Sequence, residues 1–283
     1  MHEIETRYRQ ICEEFDLLID YAKQISAALK GRDAPCDREY YASLIFAKLL
    51  SHAITLRRIS PSGLNPTVSG ASELWDLSSS GAIARTLIET FDALAYVSLN
   101  DVSPEERSFR VLIWRLHAEE RREKMLTFIG SLPSTINETK ELKIKLRTEL
   151  CANQMFLKGD SGLCGKIRKG ETPQFHLSAV DRCQISNINH DYYKAATIYL
   201  SSYVHTFPFS IQQLMELHAG ECKSLRLMSI PLQFASGFLA KAIAGMRCLF
   251  VHALPNASDQ VLLSLDSWEL LISKGVSDID KEA

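Results

Sequence analysis

An all-α protein is the fold class the sequence predicts, an elongated bundle of roughly eight to ten helices. Three observations carry it. Apolar residues recur at three- and four-residue steps through most of the chain, the period of a helix face. Helix-starting residues precede several of these runs, and Pro or Gly separates them. No stretch shows the strict alternation of a half-buried strand.

Composition narrows the class. Of 283 residues, 46% are hydrophobic and 23% charged, a globular balance that argues against disorder. The net charge of −2 gives no global signature of a nucleic-acid or membrane-surface protein. The most apolar long run, 230–254, carries Pro231, Gln233, Lys241, Arg247 and His252, too many polar groups for a lipid span. The chain starts with a charged amphipathic segment instead of a signal-like apolar core. A soluble, cytoplasmic protein with no membrane partner is expected. Seven cysteines, an odd number with no C-x-x-C pair, read as reduced thiols.

The elements follow in order. Residues 3–30 predict a first helix with Ile4, Tyr8, Ile11, Phe15, Leu18 and Ile25 on one side, stopped at Gly31. Residues 37–58 predict a second. Together they make an N-terminal hairpin over 1–59 that packs on a main bundle over 70–275. The stretch 60–69 holds two prolines and a glycine, so no helix crosses it. A central helix is expected over 72–100, with Ile83, Leu87, Phe91, Leu94 and Val97 in phase. Ser103 is a good N-cap and Pro104 suits the first helical position, which predicts a helix over 104–129, antiparallel to the central one. A charged helix spans 134–156. The stretch 158–188 has weak periodicity and reads as an irregular excursion with short helical turns. Helices are then expected over 190–206, 208–218, 224–253 and 259–273, with a frayed end beyond.

Four constellations carry candidate chemistry. Arg85 and Glu89 lie four apart in an apolar run, so they share one side of the central helix. With Arg110, Arg115, Glu119 and Glu120 they can build a buried polar cluster, in which a desolvated arginine binds phosphate or carboxylate bidentately. The plainer reading is a network of ion pairs that fixes helix register. Tyr199, Ser202, Tyr203 and His205 gather at the end of another helix. The helix dipole favours a protonated His205, and Ser202 with His205 forms half of a nucleophile–base pair. No G-x-S-x-G elbow or orienting acid accompanies them, and capping the helix end explains the same residues.

Arg247 and His252 have four residues between them, and Arg110 and His117 have six. A histidine to move a proton at a ribose 2′-hydroxyl and an arginine to neutralise phosphoryl charge are what a metal-independent ribonuclease needs. A snorkelling arginine at a helix end fits Arg247 equally. Cys164, His176, Cys183 and His190 fall in or beside the excursion, but their wide spacings do not predict a metal site, and no cofactor is expected.

ARTLIETFDALAYVSLND, with ERSFRVLIWRLHAEE and the later YYKAATIYLSSYVHTFP, resembles the R-T-L-x-E, arginine-rich and Y-x-x-S-x-x-H helices of a bacterial all-helical family of unknown function. The resemblance covers residues 70–255 and lends weight to Arg85, Glu89, Ser202 and His205. That family is in turn similar to HEPN-like bundles, which act as ribonucleases or nucleotide-binding modules in phage defence and toxin systems. Three expectations follow. The first is a binding or regulatory module with a pocket lined by Arg85, Glu89, Tyr199 and His205 for a phosphate-bearing ligand, nucleotide or RNA. The second is a HEPN-like ribonuclease that acts as a homodimer. The third is a structural interaction protein with buried ion pairs alone.

Overall fold

The computed structural model describes residues 2–64 and 75–275. These residues form twelve α-helices and one π-helical turn, with no strand among the described residues. The helices are α1 (His2–Leu29), α2 (Asp37–Ile59), α3 (Leu77–Leu94), α4 (Pro104–Phe128), α5 (Pro133–Ala152), α6 (Gln154–Leu157), α7 (Ser161–Arg168), α8 (Ala179–Ile185), α9 (His190–Val204), α10 (Pro208–Met215), α11 (Cys222–Leu249) and α12 (Asp259–Lys274). The count exceeds the expected eight to ten for two reasons. Asn153 ends α5 and caps a new helix through Met155 N at 2.8 Å, and the 158–188 stretch folds into α7 and α8. The start of the expected central helix at 72 and the expected frayed end lie outside the described residues; within them α3 begins at Leu77, where Asp76 accepts from Ser79 N at 2.9 Å.

The chain divides into two compact units, Met1–Ala95 with Cys183–Ala283, and Tyr96–Arg182. The second is therefore inserted in the first along the chain. This division falls elsewhere than the sequence-based one: α1 and α2 belong with α3 and α9–α12, because α11 packs on both of them.

The first unit is organised on α11, which packs against α1, α2, α3 and α12. Leu225, Met228, Leu232, Ala235, Phe238, Leu239, Ala242, Ile243 and Met246 are all fully buried, so this helix is apolar over most of its circumference. It is long and apolar enough to cross a membrane by length and composition, but 67% of its most apolar window is buried inside the protein. Phe238 meets Phe91 of α3 edge-on at 5.5 Å and Tyr193 of α9 at 6.2 Å. Helices α3 and α9 approach closely at Gly81, where a Cβ would stand 2.7 Å from Tyr203 Cδ2. Asn189 links the start of α9 to the end of α12. Its Oδ1 accepts from Tyr192 N at 2.9 Å, and its Nδ2 donates to the Lys274 carbonyl at 3.0 Å.

The second unit is an α4–α5 hairpin with short helices packed on it. Ser103 accepts from Glu106 N at 3.2 Å and Pro104 opens α4. Phe109, Ile113 and Leu116 of α4, Leu146 and Leu150 of α5, and Phe156, Cys164 and Ile167 beyond form its core. Helix α4 ends in a Schellman arrangement: Gly130 has φ +65°, Gly130 N donates to the Thr127 carbonyl, and Ser131 N to the Leu126 carbonyl at 2.9 Å. Before α4, residues Ala95–Leu99 wind as a π turn that continues from α3.

Candidate functional site

Arg85 projects from α3 towards α9. Its Nε donates to Ser201 Oγ at 3.1 Å, and its Nη2 forms an ion pair with Glu89 Oε1 at 3.0 Å. Its Nη1 is shielded from solvent and has no hydrogen-bond partner among the described residues. The Arg85 side chain is 19% exposed and that of Glu89 59%, so the carboxylate is solvated while the guanidinium is largely covered. One of the two charges faces inward, the outcome that the apolar run around them makes economical.

Beside Arg85 runs a groove of about 590 Å³, lined by Ala195, Thr197, Ile198, Tyr199, Ser201 and Ser202 of α9 and by Phe207 and Phe209 at the start of α10. The wall is mostly apolar. The chain reverses between α9 and α10 at Thr206, a β-branched residue held at φ +54°, and Phe207 N donates to the Ser202 carbonyl at 2.9 Å. This turn delivers the two phenylalanines. Tyr199 accepts from the Tyr203 hydroxyl at 3.0 Å and packs on Phe209 at 5.8 Å. Burial raises the pKa of the Tyr199 hydroxyl, so it stays neutral.

The remaining expected pocket residues stand elsewhere. Ser202 is buried and donates back to the Tyr199 carbonyl at 2.6 Å, while His205 is exposed at the end of α9 and packs on Phe207 at 5.5 Å. The two do not pair. Their three-residue spacing gives them proximity, but the helix carbonyl takes the serine proton. Glu89 reaches the groove only through Arg85. Ser201, Phe207 and Phe209 were not singled out by sequence; the F-P-F triplet after an amphipathic helix is the signal that marks them.

Arg110 and Glu119 belong to the other unit. Arg110 is fully buried. Its Nε and Nη2 donate to Glu106 Oε1 at 3.0 and 2.6 Å, and its Nη1 to Asn100 Oδ1 at 3.0 Å. The guanidinium also lies over the Tyr96 ring at 5.0 Å. Arg107 donates to the carbonyls of Val97, Ser98 and Asn100. Two arginines thus satisfy the carbonyl end of the π turn, where unpaired acceptors and the negative end of the dipole favour cations. Glu119 sits 3.7 Å from Arg122. Glu120 accepts from Arg147 Nη2, Thr172 N and Thr172 Oγ1, each at 2.9–3.0 Å, and His117 Nδ1 donates to the Thr172 carbonyl at 2.8 Å. Of the charges expected to form one cluster with Arg85, Arg110 is therefore committed to Glu106 and Asn100, Glu120 to Arg147 and Thr172, and Glu119 stands beside Arg122.

Arg247 lies half-buried in the last turn of α11, and His252 is exposed in the turn that follows. Neither lines the Arg85 groove. Cys164 Sγ donates to the Phe156 carbonyl and His176 pairs with Tyr96; no group of three or more His, Cys, Asp or Glu comes together among the described residues.

The fold and groove define an all-α protein with an arginine-edged apolar cleft. No family model, curated protein or solved structure matches the chain.

Proposed function

We propose that the chain is a helical binding module whose ligand is a small amphipathic anion, with one phosphate or carboxylate on an apolar or aromatic body. The observation that carries this reading is the partly exposed Arg85 guanidinium at the edge of an apolar groove, oriented by Ser201 and Glu89. An oxyanion entering the groove gains a charge-assisted interaction with this guanidinium. The groove volume of about 590 Å³ falls within the range of small-ligand sites. Tyr199, Phe207 and Phe209 give aromatic surface on which a flat group stacks.

A single nucleotide suits the groove better than an RNA strand. The first unit has 17 basic against 22 acidic residues, a balance that repels a long polyanion. Of the two pairs weighed for a ribonuclease, Arg110 and His117 have the less support, because Arg110 commits all three nitrogens inside the protein and His117 is held by Thr172.

Calorimetric titration with nucleoside monophosphates and with aromatic carboxylates tests the proposal. At least one should bind, and Arg85→Ala should weaken it roughly tenfold to a hundredfold, the loss of one charged hydrogen-bond set. Glu89→Gln should tighten it by releasing Nη2. If no such anion binds, or if Arg85→Ala binds as well as the parent, the reading is wrong.

A further inference from the structure

The second unit carries a feature that neither its core nor the Arg85 groove explains. At the turn joining α4 to α5, Met125, Phe128, Ile129 and Leu132 are 53%, 87%, 68% and 71% exposed. Four large apolar side chains within eight residues point into water at one convex end of a hairpin. Singly exposed apolar residues are ordinary, but a contiguous set marks an interaction surface.

We propose that this tip inserts into the interface of an anionic lipid bilayer. Three observations on the same element support lipid. First, three N–H groups of the tip are already satisfied: Ile129 N, Gly130 N and Ser131 N donate to carbonyls in the last turn of α4, and Pro133 has no N–H. Carrying these groups into a poorly hydrated layer therefore leaves few of them unpaired. Second, Lys124, Arg122 and Arg121 are exposed at four, six and seven residues before Phe128. At the helix rise this is about 6 to 10 Å from the tip, the depth at which phosphate headgroups lie when the apolar side chains are inserted. Third, the nearest acid on α4, Glu123, is engaged with Lys143. Glu138 on α5 is the exposed acid at a similar height. The second unit as a whole carries 15 basic against 12 acidic residues, opposite in sign to the first. This partner departs from the soluble, membrane-free expectation, and it is independent of the ligand assigned to Arg85.

The test is co-sedimentation of the full chain with vesicles of phosphatidylcholine alone and of equimolar phosphatidylcholine and phosphatidylserine. Binding should occur to the anionic vesicles and weaken as salt is raised. The double variant Phe128→Ser, Ile129→Ser should lose roughly tenfold or more of that binding, because two inserted apolar side chains are removed. Its thermal midpoint should stay unchanged, since both residues are exposed. Absence of binding to anionic vesicles overturns the proposal. So does binding that the double variant retains. A parent that is dimeric in solution and a double variant that is monomeric would assign the tip to a second copy of the chain and also overturn it.

Discussion

The Tyr96 hydroxyl lies 2.7 Å from His176 Nδ1, and the same oxygen receives His176 N at 3.4 Å. Tyr96 therefore donates to a neutral imidazole. Burial, and then the Arg110 charge, push the His176 pKa down to about 4, against smaller opposing effects from Glu106 and Asp181. The folded value lies below the unfolded one of 6.5, so between them the unfolded chain binds the proton first. The stability contributed by this group is complete above about pH 6.5 and is lost as pH falls to about 4. Thermal melts across this window should show a smaller drop for His176→Gln than for the parent. His52, also lowered by burial, adds a drop of the same sign, and the double variant should flatten the curve further. An identical pH profile in His176→Gln would contradict this assignment.

Two arginines with similar ion pairs differ in what their loss does. Arg110 is fully buried and its removal leaves Glu106 and Asn100 facing a void; Arg110→Ala should cost about 3–5 kcal/mol. Arg85 pairs with a solvated Glu89, and Arg85→Ala should cost only about 1 kcal/mol or less. Urea denaturation of both variants measures the contrast. Equal costs would mean that exposure does not set the difference.

Gly81→Ala should destabilise the protein although alanine is the better helix former. The propensity gain is about 1 kcal/mol. The added Cβ would stand 2.7 and 2.9 Å from Tyr203 Cδ2 and Cγ, and overpacking of that kind costs about 1–3 kcal/mol. Pairing it with Tyr203→Leu should relieve part of the loss, which a double-mutant cycle reads directly.

Asn189 offers a graded test of the α9–α12 link. Asn189→Asp keeps the cap acceptor for Tyr192 N and loses the donor to the Lys274 carbonyl, whereas Asn189→Ala loses both. Denaturation should rank parent above Asp above Ala, with the full loss about 1–2 kcal/mol. If Asp ranks with Ala, the side-chain donor contributes more than the cap.

Helix boundaries were legible because they are local. Ser103–Pro104 announces a start that the hydrogen bond from Glu106 N then displays. Arg85 with Glu89 was legible for the same reason, as a step of four on one helix. The partners of Arg107 were not, because they are backbone carbonyls at the end of the π turn, and no side-chain pattern marks a carbonyl left without its helical donor. His176 was hidden differently: its weakly periodic stretch gives no phase that would point it at Tyr96. The α4–α5 tip looked like an ordinary connection, since exposure of Phe128 is a property of the turn and not of the residue type.

The insertion of Tyr96–Arg182 within the first unit sets an order of events at the ribosome. Helices α1, α2 and α3 emerge early, yet the helix that covers all three, α11, is translated only after the whole second unit. The inserted unit has its core residues between Phe109 and Ile167 and can close as soon as they clear the exit tunnel. Until Cys222–Leu249 follows, the faces of the first three helices that pack on α11 are uncovered in the nascent chain.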